Sequence, residues 1–370
     1  MGVPKGIASN QVKAFKITID GSEITLPMVQ SFKLKWGITD IRVTGELLFH
    51  DVQSFVEEIP IRGGNTVVIT MTDYDNMIMV HTMEVVKVDY TRTQNSSYIV
   101  KLILLDKVTV SALSKSPSKS WASVKMGDIL NDPAVLKTEM IDKTIDFDSS
   151  DGESKNFIIP KDRSFYKVII YLKENYGQLY FQTRTSYKVK SFKSLFSQSP
   201  SGDKFVYKPN NQNYRRSIYE MNSDFGDKVK SLVYQPNLNT KDYNTDTKEE
   251  ESISSDSSTV SDDIGSTGTK PADYGERDTR EDSKTSNSKT RTEYNQQKNG
   301  YNDVKLEILV PGKFSNNVGD IVEVDLLNFY TKIEPEKNVS GSWLIDEITD
   351  VIQPPDFVQR LVLVRSSFTQ

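Results

Sequence analysis

The 370-residue sequence contains no cysteine and only two histidines. Without cysteine there are no disulfides, no thiolate metal sites and no cysteine nucleophile. No hydrophobic run approaches the length of a membrane span. The first ten residues, Met-Gly-Val-Pro-Lys-Gly-Ile-Ala-Ser-Asn, lack the apolar core of a signal peptide, and Gly6 stands where a myristoylation motif needs Ser or Thr. The expectation is a soluble protein with no readable address tag. Apolar residues are scarce at 36%, against roughly half in an average globular chain. One segment accounts for much of that deficit, since residues 237–301 contain no Phe, Trp or Met. Residues 241–300 hold 14 acidic and 9 basic side chains, which is the whole net charge of −5. The remainder is neutral and gives no support for a nucleic-acid footprint.

What the sequence does hold is strands. Phe15, Ile17 and Ile19 alternate with Lys16 and Thr18, and Ile41, Val43, Gly45, Leu47 and Phe49 alternate with Arg42, Thr44 and Glu46. Val67, Ile69 and Met71 follow the turn signal Gly63-Gly64-Asn65, and a long pair runs from Val80 to Tyr90 and from Tyr98 to Leu105. Polar turns at this spacing predict a small barrel or sandwich. Near the C-terminus, Val304, Leu306, Ile308 and Val310 alternate with Lys305 and Glu307, and Val322, Val324 and Leu326 alternate with Glu323 and Asp325. Pro311-Gly312 and Gly319-Asp320 supply the turns. Two more apolar runs, Trp343–Ile352 and Phe357–Val364, flank Pro354-Pro355.

Between these β segments the period changes. Phe165, Val168, Ile169 and Leu172 fall at i, i+3, i+4 and i+7, with Ser164 placed as N-cap and Gly177 as terminator. A second, shorter helix is predicted over Val124–Leu130, with Met126, Ile129 and Leu130 facing inward. The resulting plan is mainly β with an α+β part. It has a first β-barrel module (1–113), an α+β middle domain (114–212) and a second β-barrel module (213–236 plus 302–370) interrupted by a polar acidic insertion (237–301). Strand character is expected at Ser217–Met221 and Val229–Tyr234. Within the insertion, 240–270 has too little apolar surface to offset roughly 1–2 kcal/mol of backbone entropy per residue. Residues 281–297 have a composition compatible with a helix. The strands of the two β segments also match in order and spacing, a weak internal repeat.

Candidate chemistry is thin. His50 and His81 each lie within a strand among apolar or acidic neighbours and read as structural. Asp146, Asp148, Ser150, Asp151, Gly152 and Glu153 resemble a calcium loop, but the sixth position holds Asp151 instead of Gly and the twelfth holds Phe157 instead of Glu. Glu57-Glu58 and Asp346-Glu347 are paired carboxylates, yet neighbours along a strand point to opposite faces and cannot share one substrate. No catalytic, cofactor-binding or metal site is assigned, and no cofactor is expected.

In chain order, the segments Thr44-Gly-Glu-Leu-Leu-Phe-His-Asp51, Ser164-Phe-Tyr-Lys-Val-Ile-Ile-Tyr-Leu172, Val310-Pro-Gly with Val318-Gly-Asp-Ile-Val-Glu-Val324, and Trp343-Leu-Ile-Asp-Glu-Ile348 resemble the baseplate hub protein of contractile-tailed bacteriophages. The likeness covers about three quarters of the chain and omits the insertion. It implies a homotrimer in which each chain contributes two tube-like barrels, forming a pseudo-hexameric ring between a six-fold tail tube and a three-fold central spike. The partners it implies are the spike protein, the tail tube or tube-initiator protein and the baseplate wedge proteins, in a virion assembled in a bacterial cytoplasm. No catalytic residue carries over. Two rival readings remain open: a tail-associated cell-wall hydrolase, or a virion adhesin.

Overall fold

The computed structural model describes residues 11–51, 55–93, 97–132, 144–147, 152–159, 163–201, 203–207, 218, 220–224, 239–244, 249–254, 290–291, 294, 304–326 and 340–365. Strands dominate it. The first module contains β1 (Ala14–Ile19), β2 (Ser22–Ile24), β3 (Val29–Gly37), β4 (Thr44–Asp51), β5 (Thr66–Thr72), β6 (Ile78–Arg92) and β7 (Tyr98–Asp106), with the short helix α1 (Phe55–Glu58) after β4. They pair in the order β2-β1-β5-β6-β7-β4-β3. Alternation sends Ile17 and Ile19, Leu47 and Phe49, Val67, Ile69 and Met71, and Val100, Leu102 and Leu104 into one core. The strand at Ile41–Phe49 starts later than its periodicity predicts, at Thr44. β3 adds a strand to those expected from the sequence, and its Phe32, Leu34 and Trp36 are buried and alternate with lysines.

Next comes α2 (Lys107–Ser114), almost wholly inside the bounds expected of the first module, and then, within those expected of the middle domain, β8 (Ser120–Val124), α3 (Met126–Asn131), β9 (Thr144–Phe147), β10 (Lys155–Ile158), α4 (Phe165–Tyr176), β11 (Gln178–Gln182), β12 (Ser186–Ser191) and α5 (Phe192–Phe196). Phe165, Val168, Ile169 and Leu172 are the buried stripe of α4, and Gly177 ends it in the left-handed region at φ 63°. Ser164 holds the N-cap position, but its hydroxyl makes no capping bond. Met126, Ile129 and Leu130 of α3 complete a second core with them.

The chain then forms β13 (Lys204–Tyr207), β14 (Glu220–Asp224), the hairpin β15 (Asn239–Asn244) and β16 (Glu249–Ser254), and finally β17 (Val304–Pro311), β18 (Ile321–Leu326), β19 (Gly341–Gln353) and β20 (Asp356–Arg365). The hairpin covers 240–244 and 249–254 of the 240–270 stretch, whose other residues lie outside the described ones. It is a two-stranded sheet of its own, held by backbone pairing, which needs no apolar side chains. Thr290, Arg291 and Tyr294 are helical, as their composition allows. Tyr294 is buried, with its ring 5.8 Å from that of Phe192, so this end of the polar insertion docks on the middle domain. The expected strand at Val229–Tyr234 and the residues Asp148, Ser150 and Asp151 lie outside the described residues.

The internal repeat is a repeat of hydrogen-bond register. Thr66 pairs with Glu84 as Ile321 pairs with Leu344. Val85 pairs with Leu104, a bulge follows and Lys87 pairs with Ile103; likewise Ile345 pairs with Leu363, a bulge follows and Glu347 pairs with Val362. Gly45 opposes Leu104 as Leu306 opposes Leu363, and Leu34 opposes Gly45 as Ser223 opposes Leu306. Even the turns agree. Gly64 N–H donates to Val85 O at 2.8 Å and Gly319 N–H to Ile345 O at 2.8 Å, both glycines with positive φ. Thus β14, β17, β18, β19 and β20 repeat β3, β4, β5, β6 and β7. The repeat breaks at the next strand, where β1 pairs antiparallel with β5 but β13 pairs parallel with β18.

The two modules are distant in sequence and adjacent in space. β19 continues past β18 and pairs antiparallel with β3, from Glu347 opposite Gly37 to Ile352 opposite Phe32. That pairing fuses both modules into one sheet with one core, which includes Ile17 at one end and Val364 at the other. The register repeat supplies a matched test. Alanine at Gly64 (φ +92°) meets open space, whereas at Gly319 (φ +83°) its Cβ would lie 2.8 Å from Phe181 of the middle domain. Gly64→Ala should lower stability by roughly 1–2 kcal/mol, the cost of a side chain in left-handed backbone. Gly319→Ala should cost distinctly more in urea unfolding, and equal costs would deny that Phe181 is held against that turn.

Candidate assembly site

The candidate site is built where three parts of the chain meet. In the β11–β12 turn, Thr183 donates both its N–H and its hydroxyl to Ser186 O, at 2.8 Å each, and this tight turn presents Arg184 to the seam between the modules. Asp350 of β19 receives it. Arg184 donates Nη1 to Asp350 Oδ2 at 2.8 Å and Nη2 to Oδ1 at 2.9 Å, with side chains only 5% and 0% exposed. A fork of this kind fixes orientation as well as charge. The guanidinium lies over Trp36 of β3, 4.3 Å from the ring centroid, and its Nε donates to Asn316 O at 3.2 Å. Behind it, Gln359 of β20 donates to Asp350 Oδ1 at 2.7 Å and accepts from Asn316 Nδ2 at 2.8 Å. One arginine thus touches the first module, the second module and the loop between β17 and β18.

Other contacts hold the same junction. Asp73, 1% exposed in the β5–β6 turn, accepts from Met77 N of its own turn at 2.8 Å and from Phe314 N of the second module at 2.9 Å. Burial on both faces makes β11 a shared strand: Leu179 and Phe181 enter the large core while Tyr180 enters the middle-domain core. Burial drives the Tyr180 and Tyr187 hydroxyls well above the usual value of 10, so both rings are neutral, and they stack 5.7 Å apart. Burial likewise raises the Asp320 carboxyl above 3.8, only partly offset by Lys188 and by hydrogen bonds from Asn317.

Those residues singled out in the sequence that are described do not converge on one another. His50 Nε2 is 2.7 Å from Ser97 Oγ. His81 is buried on β6, 3.2 Å from Asp106 and edge-on to Trp36, and Asp106 also caps α2 through Val108 N. Glu57 and Glu58 are exposed on α1, and Asp146 is exposed on β9. Asp346 is the bulged residue of β19 and is buried, while Glu347 points outward to Lys35 at 2.8 Å. Among the described residues no group of three acidic or histidine side chains is placed to hold a metal, and no helix is long and apolar enough to cross a membrane. Sequence reading missed both Arg184 and Asp350. Outside the seam, the outer face of the β5–β6 hairpin exposes Tyr74, Met77, Ile78 and Val80, the last two 69% and 57% exposed.

No family model matches the sequence, and no curated protein does. Solved structures do. The 43 kDa tail protein of prophage MuSo2 from Shewanella oneidensis aligns with a TM-score of 0.60 at 12% identity, covering 95% of this chain and 98% of that one. A tail protein from Neisseria meningitidis MC58 aligns with a TM-score of 0.62 at 8% identity, over 96% and 97%. The chain has the fold of phage tail proteins. An Escherichia coli type VI secretion component, described as similar to T4 bacteriophage tail proteins gp27 and gp5, aligns with a TM-score of 0.52 at 8% identity, over 95% and 77%. The fold is therefore shared over nearly the whole chain at 8–12% sequence identity.

Removing one partner of the Arg184–Asp350 pair leaves a buried charge uncompensated. Arg184→Met should cost about 3–5 kcal/mol in denaturant unfolding. Arg184→Met with Asp350→Leu should recover a large part of that loss. A single substitution costing under about 1 kcal/mol would show that the seam does not depend on this pair.

Proposed function

We propose that the chain is the baseplate hub of a phage-like contractile tail, a structural protein that works by assembly and carries out no catalysis. Three copies form a ring of six modules, which joins a six-fold tail tube to a three-fold central spike, with wedge proteins bound around it. It is made in a bacterial cytoplasm and ends in the virion baseplate. The observation that carries this reading is the register-level duplication within the tail-protein fold. A three-fold assembly of a chain holding two equivalent modules offers six equivalent surfaces, which is what a symmetry adaptor has to present. The exposed Ile78 and Val80 face is apolar surface for a tail component to cover.

Light scattering on the purified protein, alone and mixed with extract of its native particle, tests this. The expected result is three times the chain mass, either alone or once the spike is present, with interfaces on the order of 2,000 Å² or more per pair. A monomer under both conditions would contradict the proposal.

A further inference from the structure

The junction inside the chain specifies a junction between chains. β19 uses one edge twice: Gly341–Leu344 pair with β18, and Glu347–Ile352 pair with β3. Its register equivalent, β6, uses the same edge once. Ile78–Glu84 pair with β5, and no described strand pairs with that edge over Lys87–Arg92. Conversely, β14 is the equivalent of β3. Where β3 pairs with β4 on one side and β19 on the other, β14 pairs with β17 and is the last of the described strands on that side of the sheet. Among the described residues, each chain therefore has one unfilled acceptor edge on its first module and one unfilled donor strand on its second.

We infer that β14 of one copy pairs antiparallel with the Lys87–Arg92 edge of β6 in the next copy, repeating the β3–β19 junction around a ring. The inference rests on the ring reading above and adds to it the strands and the register. Transferring the β3–β19 pairs through the repeat sets Asp224 opposite Asp89, Ser223 opposite Tyr90, Asn222 opposite Thr91 and Met221 opposite Arg92.

Three observations support it. The first is charge. Within the chain, Lys35 reaches diagonally to Glu347 at 2.8 Å. The equivalent positions across the new junction hold Asp224 and Lys87, an opposite-charge pair with its signs exchanged, which favours this register. Asp89, which would face Asp224, already has Lys87 at 2.8 Å in its own strand. The second is sequence: Trp36-Gly37 close the β3 pairing, and Phe225-Gly226 follow β14 at the same offset. The third is exposure. Val86, the bulge residue just before the unfilled stretch of β6, and Tyr90 within it are 51% and 44% exposed, unusual for large apolar side chains and expected of an edge awaiting a strand. The contact is heterologous, donor strand to acceptor edge, so it closes a ring if the rotation allows.

The absence of native cysteine makes the test clean. Asn222→Cys in one preparation and Thr91→Cys in another place two thiols directly opposite in the proposed register, within disulfide reach. Mixed and oxidised, they should give a disulfide-linked pair containing one of each variant, whereas Asn222→Cys mixed with Lys16→Cys on β1 should not. Charge exchange gives a second readout. Lys87→Glu and Asp224→Lys should each lower the assembled fraction, on the order of fivefold, and the double variant should restore it. A trimer by light scattering that neither cross-links nor responds to charge exchange would overturn the strand pairing and leave the ring standing. A monomer that does not cross-link would overturn both.

Discussion

The buried pair of Arg184 and Asp350 is the constraint on which the architecture depends. A guanidinium with 5% of its side chain exposed is tolerable only where its donors are met, and here Asp350, Asn316 O and the face of Trp36 meet them. Those partners come from β19, the β17–β18 loop and β3, so the arginine is satisfied only when both modules and the middle-domain hairpin are in place together. Such a pair adds little net stability over a well-packed apolar replacement. What it supplies is orientation: the fork permits one approach of the β11–β12 turn to the seam, and the β3–β19 register follows from it.

That register matters because the chain is a duplication with a hinge of fixed geometry. Two modules of the same strand order, the same bulge position and the same glycine turn are joined edge to edge. The rotation from one module to the next is therefore a built-in property of the molecule. The middle domain sets it from one side through Arg184, Phe181 and Lys173, whose ammonium donates to Thr39 O at 2.8 Å. Asp73 sets it from within by tying the β5–β6 turn to Phe314. A rigid intramolecular junction of this kind is a template for whatever continues it outside the chain.

Much of this fold was legible in the sequence. Period and punctuation placed α4, with its stripe from Phe165 to Leu172 and its stop at Gly177, and placed β17, β18 and the β19–β20 hairpin. Alternation shows in the first half of β17 and the second half of β19, where one face is core, whereas Ile308–Pro311, Trp343–Asp346 and Phe357–Gln359 are buried on both faces and read as apolar runs. β3 is equally legible, since Phe32, Leu34 and Trp36 alternate with Lys33 and Lys35. The repeat was visible as spacing only, because what the modules share is backbone register and not side-chain identity. The seam left no signal: Arg184 and Asp350 lie 166 residues apart, each a common residue in an unremarkable context. Over the insertion, composition is compatible with the helical Thr290, Arg291 and Tyr294 but gives no sign that this end docks, through Tyr294 beside Phe192, Thr290 on Lys155 and Arg291 on Glu174.

The central claim is that two equivalent modules per chain make six equivalent units about a three-fold axis. It is tested most directly by electron microscopy of the assembled particle, reconstructed without imposed symmetry. The account predicts six lobes at equal spacing around a closed ring, with the junctions within and between chains alike. Three separated pairs of lobes, or an open chain of subunits, would contradict it.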